Sequence, residues 1–275
     1  MSFSRRDLDR LAAIVVEAAR REVTPRFRKL TPQDVRAKSS ASDLVTEADE
    51  AAERFIAAAL TQAFAGCAIV GEEAAARDPG LVAALGEAEL AFVVDPVDGT
   101  LNFASDLPMF AVMAAAVVKG ETAAAVIHDP VLDDSALALR GGGAWLERAD
   151  GSRRDLRVGP ARAPAQMNGM AGWRYFPEPA RSRIPAAFPA FESVATLRCC
   201  GQEYRLAAAG GCDFLLYGRL NPWDHAAGVL LHQEAGGVAR MLDGAPYRPG
   251  RRRVGLLCAN TPESWSAARA CLFKE

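Results

Sequence analysis

Asp95 and Asp98, in the run Asp95-Pro96-Val97-Asp98-Gly99-Thr100, are two carboxylates three residues apart that flank a forced bend. Pro96 fixes its own φ and biases Asp95 toward extended backbone, while Gly99 lets the chain turn sharply. Thr100 adds a hydroxyl and, with Gly99, backbone N–H groups at the same place. Two acids aimed at one point are most simply neutralised by a divalent cation. Asp-Pro and Asp-Gly are also ordinary turn dipeptides, so the motif draws its weight from the company it keeps.

Three further acids fall at element ends. Glu72, in Gly71-Glu72-Glu73, follows the apolar run Cys67-Ala68-Ile69-Val70, which reads as a strand. Thr46-Glu47-Ala48-Asp49 has capping-box spacing, and Asn221-Pro222-Trp223-Asp224 reads as N-cap, proline at N1 and an acid in the first turn. Capping alone accounts for both; a carboxylate on a first turn can also face a cation while Asn221 makes the cap. The set is all oxygen, which suits Mg²⁺ or Mn²⁺ and argues against zinc or a redox metal. Mg²⁺ bound by a few carboxylates usually works with phosphate, so phosphoryl transfer is implied. There is no G-x-x-x-x-G-K-[ST] loop, G-x-G-x-x-G or G-x-S-x-G elbow. Metal-assisted hydrolysis of a phosphomonoester, with water as acceptor, remains.

The elements that must position these residues follow from periodicity. Leu8, Leu11, Ala12, Val15 and Ala18 recur at helical spacing, and a second helix is expected over about 46–64 with Ala48, Ala52, Phe55, Ala59 and Ala63 inward. A loop holds Lys38-Ser39-Ser40-Ala41-Ser42-Asp43 between them. Strands are expected over 67–71, 90–95, 111–118, 123–128 and 136–140, with Lys119-Gly120-Glu121 as a hairpin turn and Gly141-Gly142-Gly143 as a turn or bulge. Strands near 168–173, 193–197, 212–217, 237–241 and 254–258 then alternate with helices near 202–209, 223–234 and 262–273. Composition becomes charged and Gly/Pro-containing between about 148 and 164, which divides the chain into an α+β half (1–160) and an α/β half (161–275).

Half of the 275 residues are apolar, enough for a sizeable core without disulfides. A net charge of −2 gives no basic field to recruit nucleic acid or an anionic membrane; Arg251-Arg252-Arg253 reads as a solvated loop. Six cysteines without C-x-x-C spacing read as core residues of a reducing compartment. No secretory signal or membrane-length apolar run is present, so a cytoplasmic enzyme is expected. None of the three histidines, His128, His225 and His232, is assigned to catalysis, although His225 sits beside Asp224.

Lys38-Ser39-Ser40, Asp43 through Asp49, Gly71-Glu72-Glu73, Asp95 through Phe103, and Trp223-Asp224-His225-Ala226-Ala227-Gly228 followed by Glu234-Ala235-Gly236-Gly237 together resemble the inositol monophosphatase family of Mg²⁺-dependent, lithium-sensitive phosphatases. The resemblance implies a layered αβαβα fold and two or three Mg²⁺ ions, which Mn²⁺ can replace. It implies that Glu72, Asp95 and the Val97 carbonyl hold a first ion, and that Asp95, Asp98 and Asp224 hold a second. Asp49, Thr100 and Glu72 would be catalytic, the Thr100–Asp49 pair orienting or deprotonating the attacking water, and the Gly99 and Thr100 amides would grip phosphate. Lys38 would bring positive charge near the phosphate or an outer ion. Substrate would meet Asp98, Gly201, Gln202, Glu203, Tyr217 and Asp224. Tyr217 stands where the inositol phosphatases typically carry a carboxylate for sugar hydroxyls, and Glu203 either restores that acid or is an ordinary helix-face residue. The expected substrate is a small polyol phosphate such as inositol monophosphate and the expected assembly a homodimer. Fructose-1,6-bisphosphate, histidinol phosphate and adenosine bisphosphate are the alternatives, and a transcription-associated regulatory binding role is the alternative of another class.

Overall fold

Capping boxes start both N-terminal helices in the computed structural model, which describes residues 3–40, 43–251 and 255–274. Ser4 and Asp7 exchange hydrogen bonds at the head of α1 (Arg5–Ala18), and Thr46 and Asp49 do so at the head of α2 (Glu47–Ala63). The segment expected as a loop is instead a hairpin, β1 (Val35–Ser40) against β2 (Asp43–Thr46); Ala41 and Ser42 lie outside the described residues. The buried stripe of α2 runs through Ala48, Ala52, Ile56 and Leu60. Phe55, Ala59 and Ala63, expected inward, are half-buried on its flank, because Asp49 and Glu53 take part of the inward face.

Seven strands form the first sheet in chain order: β3 (Ala68–Gly71), β4 (Ala91–Asp98), β5 (Ala111–Val118), β6 (Glu121–Asp129), β7 (Asp134–Leu139), β8 (Gly143–Arg148) and β9 (Arg153–Asp155). Only β3 and β4 are parallel, and α3 (Glu72–Arg77) and α4 (Ala84–Glu87) make the crossover between them. β4 does not end at Asp95 as expected. It continues through Pro96 to Asp98 with a register shift against β5, so the bend is a bulge inside a paired strand, followed by Gly99 and α5 (Thr100–Ala104).

The second sheet has the order β11-β10-β12-β14-β13, from β10 (Asn168–Gly172), β11 (Ser193–Ala195), β12 (Phe214–Tyr217), β13 (Val238–Met241) and β14 (Leu256–Ala259). Val254, expected in the last strand, and Arg252 and Arg253 lie outside the described residues. α6 (Ala180–Ala186) follows β10, α7 (Cys200–Ala208) and α8 (Pro222–Glu234) precede and follow β12, and α9 (Pro262–Leu272) closes the chain.

Three apolar clusters stack these elements into five layers. Leu8, Leu11 and Val15 of α1 and Ile56 and Leu60 of α2 cover Phe92, Val94 and Val112 on one face of the first sheet. Val93, Met113 and Ile127 on its other face pack against Tyr204 of α7 and Leu230 of α8, which in turn meet Leu215 and Cys258 of the second sheet. Phe214 and Leu257, on the outer face of that sheet, meet Ile184 of α6 and Trp265 and Leu272 of α9. The order is the αβαβα sandwich expected. Each fully buried aliphatic side chain contributes about 1.5–3 kcal/mol, and no covalent staple adds to this, all six cysteines being free.

His232 shows how α8 is tied to the second sheet. Its Nε2–H donates to the Ala259 carbonyl at 3.0 Å, while Nδ1 is buried without a partner. A second proton would have no acceptor, and burial holds the imidazole pKa down at about 4, partly countered by the Ala259 bond. The unfolded chain takes up that proton near pH 6.5, so between the two values folding loses stability as pH falls. In urea titrations His232→Gln should lose about 2 kcal/mol less than wild type between pH 7 and pH 5. Equal losses would remove His232 as the source.

Candidate active site

The site is assembled where three layers meet. β3 delivers Glu72 at the start of α3, the β4 bulge delivers Asp95, Val97 and Asp98, α2 delivers Asp49 and α8 delivers Asp224. Gly71 and Gly99 are the two glycines this geometry demands. A Cβ at residue 71 would run into the Glu53 carboxylate, whose oxygens accept the Glu73 and Ala74 N–H groups at 2.7 and 2.8 Å and so anchor the turn that carries Glu72. Gly99 has φ +88, and a Cβ there would sit 2.9 Å from the Met109 carbonyl oxygen. Its left-handed turn sets the first amides of α5 directly after Asp98, where helix geometry leaves them without intrahelical partners.

Asp95 is the centre of the group. It is 1% exposed and its Oδ1 has no hydrogen-bond partner. Burial first, then the negative charges of Glu72, Asp98, Asp224 and Asp49, push its carboxyl well above the usual carboxylate range. All five acids named from sequence therefore act on one point. Asp98 is pushed up to about 7 by burial and by Asp224, against a bond from the Gly201 N–H at 2.5 Å and one from the Cys199 thiol at 3.1 Å. Burial lifts Asp49 to about 7 against its Thr46 bonds, with Glu72 and Glu73 adding to the rise. Thr100 shares its hydroxyl proton between Asp49 Oδ1 at 3.1 Å and the Val97 carbonyl at 2.9 Å.

A buried carboxylate oxygen without a donor, ringed by four other acids, fits a hard cation and oxygen ligation. Among the described residues no three His, Cys, Asp or Glu side chains are drawn together tightly enough to enclose an ion as they stand. Two of the acids, Glu72 and Asp224, bond to protein groups. Lys38 donates to Glu72 at 2.8 Å and to Glu73 at 2.5 Å; burial works against its charge, but the two glutamates outweigh this and raise its pKa. Lys38, which could have been a surface lysine, is a resident cation at the edge of the acid group. Asn221 makes no side-chain cap for α8, contrary to expectation, and donates its amide to Asp224 Oδ2 at 3.1 Å.

A cavity of about 350 Å³ opens beside Asp98 and Asp224 and extends under the second sheet to Tyr217, His225 and Glu203. Glu203 is buried and satisfied: Oε1 accepts from the Thr196 hydroxyl at 2.9 Å and the Leu197 N–H at 2.8 Å, and Oε2 accepts from the Tyr217 hydroxyl at 2.9 Å. It is thus neither an open acceptor for sugar hydroxyls nor a solvated helix-face residue. Gln202 does not reach the cavity. It starts the inner turn of α7 and donates to the Phe110 carbonyl at 3.0 Å and to Asp129 at 2.8 Å, on the side of the first sheet. Gly201 acts through Asp98, where a Cβ would press on Met113 and Ile127. His225 is neutral, its pKa held down at about 4 by burial; Nε2–H donates to the Arg219 carbonyl at 2.9 Å and Nδ1 faces the Tyr204 hydroxyl at 3.2 Å. Sequence reasoning missed Glu53, Cys199 and Arg198. Only Glu53, at i+4 from Asp49 on the same helix, carried a legible signal. A second groove of about 450 Å³ beside α1 contains none of the candidate residues.

The inositol monophosphatase family model matches residues 7–275. Over 244 residues the chain is 36% identical to the Nus factor SuhB of Pseudomonas aeruginosa, covering 84% of this chain and 85% of that protein. It is 33% identical over 237 residues to the inositol-1-monophosphatase of Caulobacter vibrioides, covering 83% and 88%. A solved structure of a Staphylococcal IMPase-I complexed with products shares the fold with a TM-score of 0.82 at 18% identity, over 99% of this chain and 97% of that one. The fold and the acid group define a phosphatase of the layered αβαβα class. The chain belongs to the inositol monophosphatase family.

Among the described residues no helix is long and apolar enough to cross a membrane.

Proposed function

We propose that the protein is a Mg²⁺-dependent phosphomonoesterase that hydrolyses small polyol phosphates, inositol monophosphate among them. The observation that carries this reading is Asp95, a buried carboxylate with an unpartnered oxygen, at the focus of four other acids and beside the Thr100–Asp49 pair. Glu72, Asp95 and the Val97 carbonyl would hold one ion, and Asp95, Asp98 and Asp224 another. Bound there, the cations supply Lewis-acid stabilisation of the phosphoryl oxygens and lower the pKa of a coordinated water.

The chain's own groups do the positioning. Asp49, fixed by two bonds from Thr46, accepts a hydrogen bond from the Thr100 hydroxyl and so leaves the Thr100 lone pairs to accept from the attacking water. The left-handed turn at Gly99 presents the first amides of α5 to the phosphate. Lys38 exchanges its glutamate partners for phosphate charge at the outer edge. The rest of the substrate lies along the cavity under Tyr217.

Inorganic phosphate released from inositol 1-phosphate and p-nitrophenyl phosphate, with Mg²⁺ and with EDTA, tests this directly. Release with Mg²⁺ that EDTA abolishes is expected; none from either compound rejects the reading. The relatives named Nus factor favour a second reading, a regulatory binding role in transcription, which recovery of transcription machinery by the tagged protein would support.

A further inference from the structure

Apart from Asp98 and Asp224, the 350 Å³ cavity is lined largely by guanidinium groups and aromatic rings rather than by open hydroxyl acceptors. Arg174, Arg198 and Arg219 line it together with Trp173 and Tyr175. Its one other carboxylate, Glu203, is spent on Thr196, Leu197 and Tyr217. Arg219 lies over the Tyr175 ring with its guanidinium carbon 4.6 Å from the centroid, which fixes both side chains at the rim.

Arg198 is the most constrained of the three. It holds φ +55, a left-handed conformation that a non-glycine residue adopts at a cost. Its neighbours pin it there: the Leu197 N–H is bound to Glu203, the Leu197 carbonyl accepts from Asn102 Nδ2 at 2.8 Å, and the Cys199 thiol is bound to Asp98. The Arg198 N–H itself donates to the Thr196 hydroxyl at 3.1 Å. Arg198 is thus a strained residue held between Cys199, which is bound to Asp98, and the buried Glu203, and it lines the same cavity. Neither Arg174 nor Arg198 has a carboxylate within ion-pair distance among the described residues.

We propose that the cavity selects phosphomonoesters that carry a second anionic group, a phosphate or a carboxylate, on the part of the molecule remote from the reacting phosphate, with Arg198 as its principal partner and Arg174 and Arg219 at the rim. This rests on the phosphatase reading for the reacting end. It goes beyond that reading in making charge, rather than hydroxyl pattern, the basis of choice. Guanidinium groups bind either anion in a fork, so the chemistry fixes the charge and leaves the identity of the anion to measurement.

Matched pairs separate the cases. Fructose 1-phosphate and fructose 1,6-bisphosphate differ by one phosphate; glycerol 3-phosphate and 3-phosphoglycerate differ by one carboxylate. Initial rates with Mg²⁺ should favour the doubly charged member of at least one pair by about tenfold in kcat/KM, mainly through KM. Whichever pair shows the preference names the anion. In Arg198→Gln and Arg198→Gly, the second of which also relieves the left-handed backbone, the ratio should fall toward unity. Equal kcat/KM within both pairs, or a ratio that survives both substitutions, overturns the proposal while turnover of fructose 1-phosphate leaves the phosphatase reading standing. If no compound is hydrolysed, that reading fails, and calorimetric Kd values for the same pairs and variants decide the charge preference by the same ratios.

Discussion

Asp95→Asn should remove Mg²⁺-dependent phosphate release by about a thousandfold while making the metal-free protein harder to unfold. The first effect follows from position: Asp95 is the acid on which the charges of Glu72, Asp98, Asp224 and Asp49 converge. The second follows from the same crowding, because an amide of equal size removes one buried negative charge from a group of five acids, which Lys38 offsets only at its Glu72 edge. In the proposed function a bound cation supplies the missing compensation, so saturating Mg²⁺ should raise the unfolding midpoint, by about 2.7 kcal/mol of stability at a hundredfold excess over Kd. In the variant that increment should vanish. Scanning calorimetry with and without Mg²⁺, run beside a phosphate-release assay, reads both. A variant that keeps the Mg²⁺ increment and its turnover would show that the cation sits elsewhere; loss of the folded state would make Asp95 a structural acid.

Gly228→Ala should cost about 3 kcal/mol of stability although it adds a single methyl to a helix, where alanine is normally the better residue. A Cβ at position 228 would enter the ring of Tyr204, which is fully buried. The ring has no room to withdraw. It packs on Tyr217 with centroids 5.4 Å apart, and its hydroxyl meets His225 Nδ1. α7 and α8 must therefore separate. Since α7 begins with the Gly201 N–H that holds Asp98 and α8 begins with Asp224, the separation also spreads the acid group. Urea unfolding should show the loss, and Mg²⁺ affinity measured on the variant should fall with it. Unchanged stability would mean that the two helices slide apart at little cost.

The acid group was legible because its members sit at element ends that short-range rules recognise: the Asp-Pro and Asp-Gly bend, the Thr46–Asp49 capping box and the proline at the head of α8. Strand and helix periodicity placed both sheets for the same reason. What sequence did not disclose depends on long-range packing. β4 runs through Pro96 because β5 continues to pair with it beyond the bulge, Asp98 opposite Ala111, and no local signal records a partner on another strand. Gln202 and Glu203 are adjacent, and which of them turns toward the cavity is set by how α7 lies between the two sheets. The left-handed Arg198 is equally silent in sequence, since the residues on either side of it are held by Asn102 and Asp98 from a distant part of the chain.

The two ends of the cavity come from different stretches of polypeptide. The acids descend from the first sheet, α2 and α8, whereas Trp173, Arg174, Tyr175 and Arg198 belong to the connections that follow β10 and β11 in the second sheet. Those connections hold no carboxylate of the acid group, so their side chains can diverge as long as the Leu197 carbonyl still meets Asn102 and the Cys199 thiol still meets Asp98. A protein engineer could graft residues 172–176 and 196–198 from another member of this fold onto the chain and expect to exchange its taste in substrates while leaving its way of cleaving them intact.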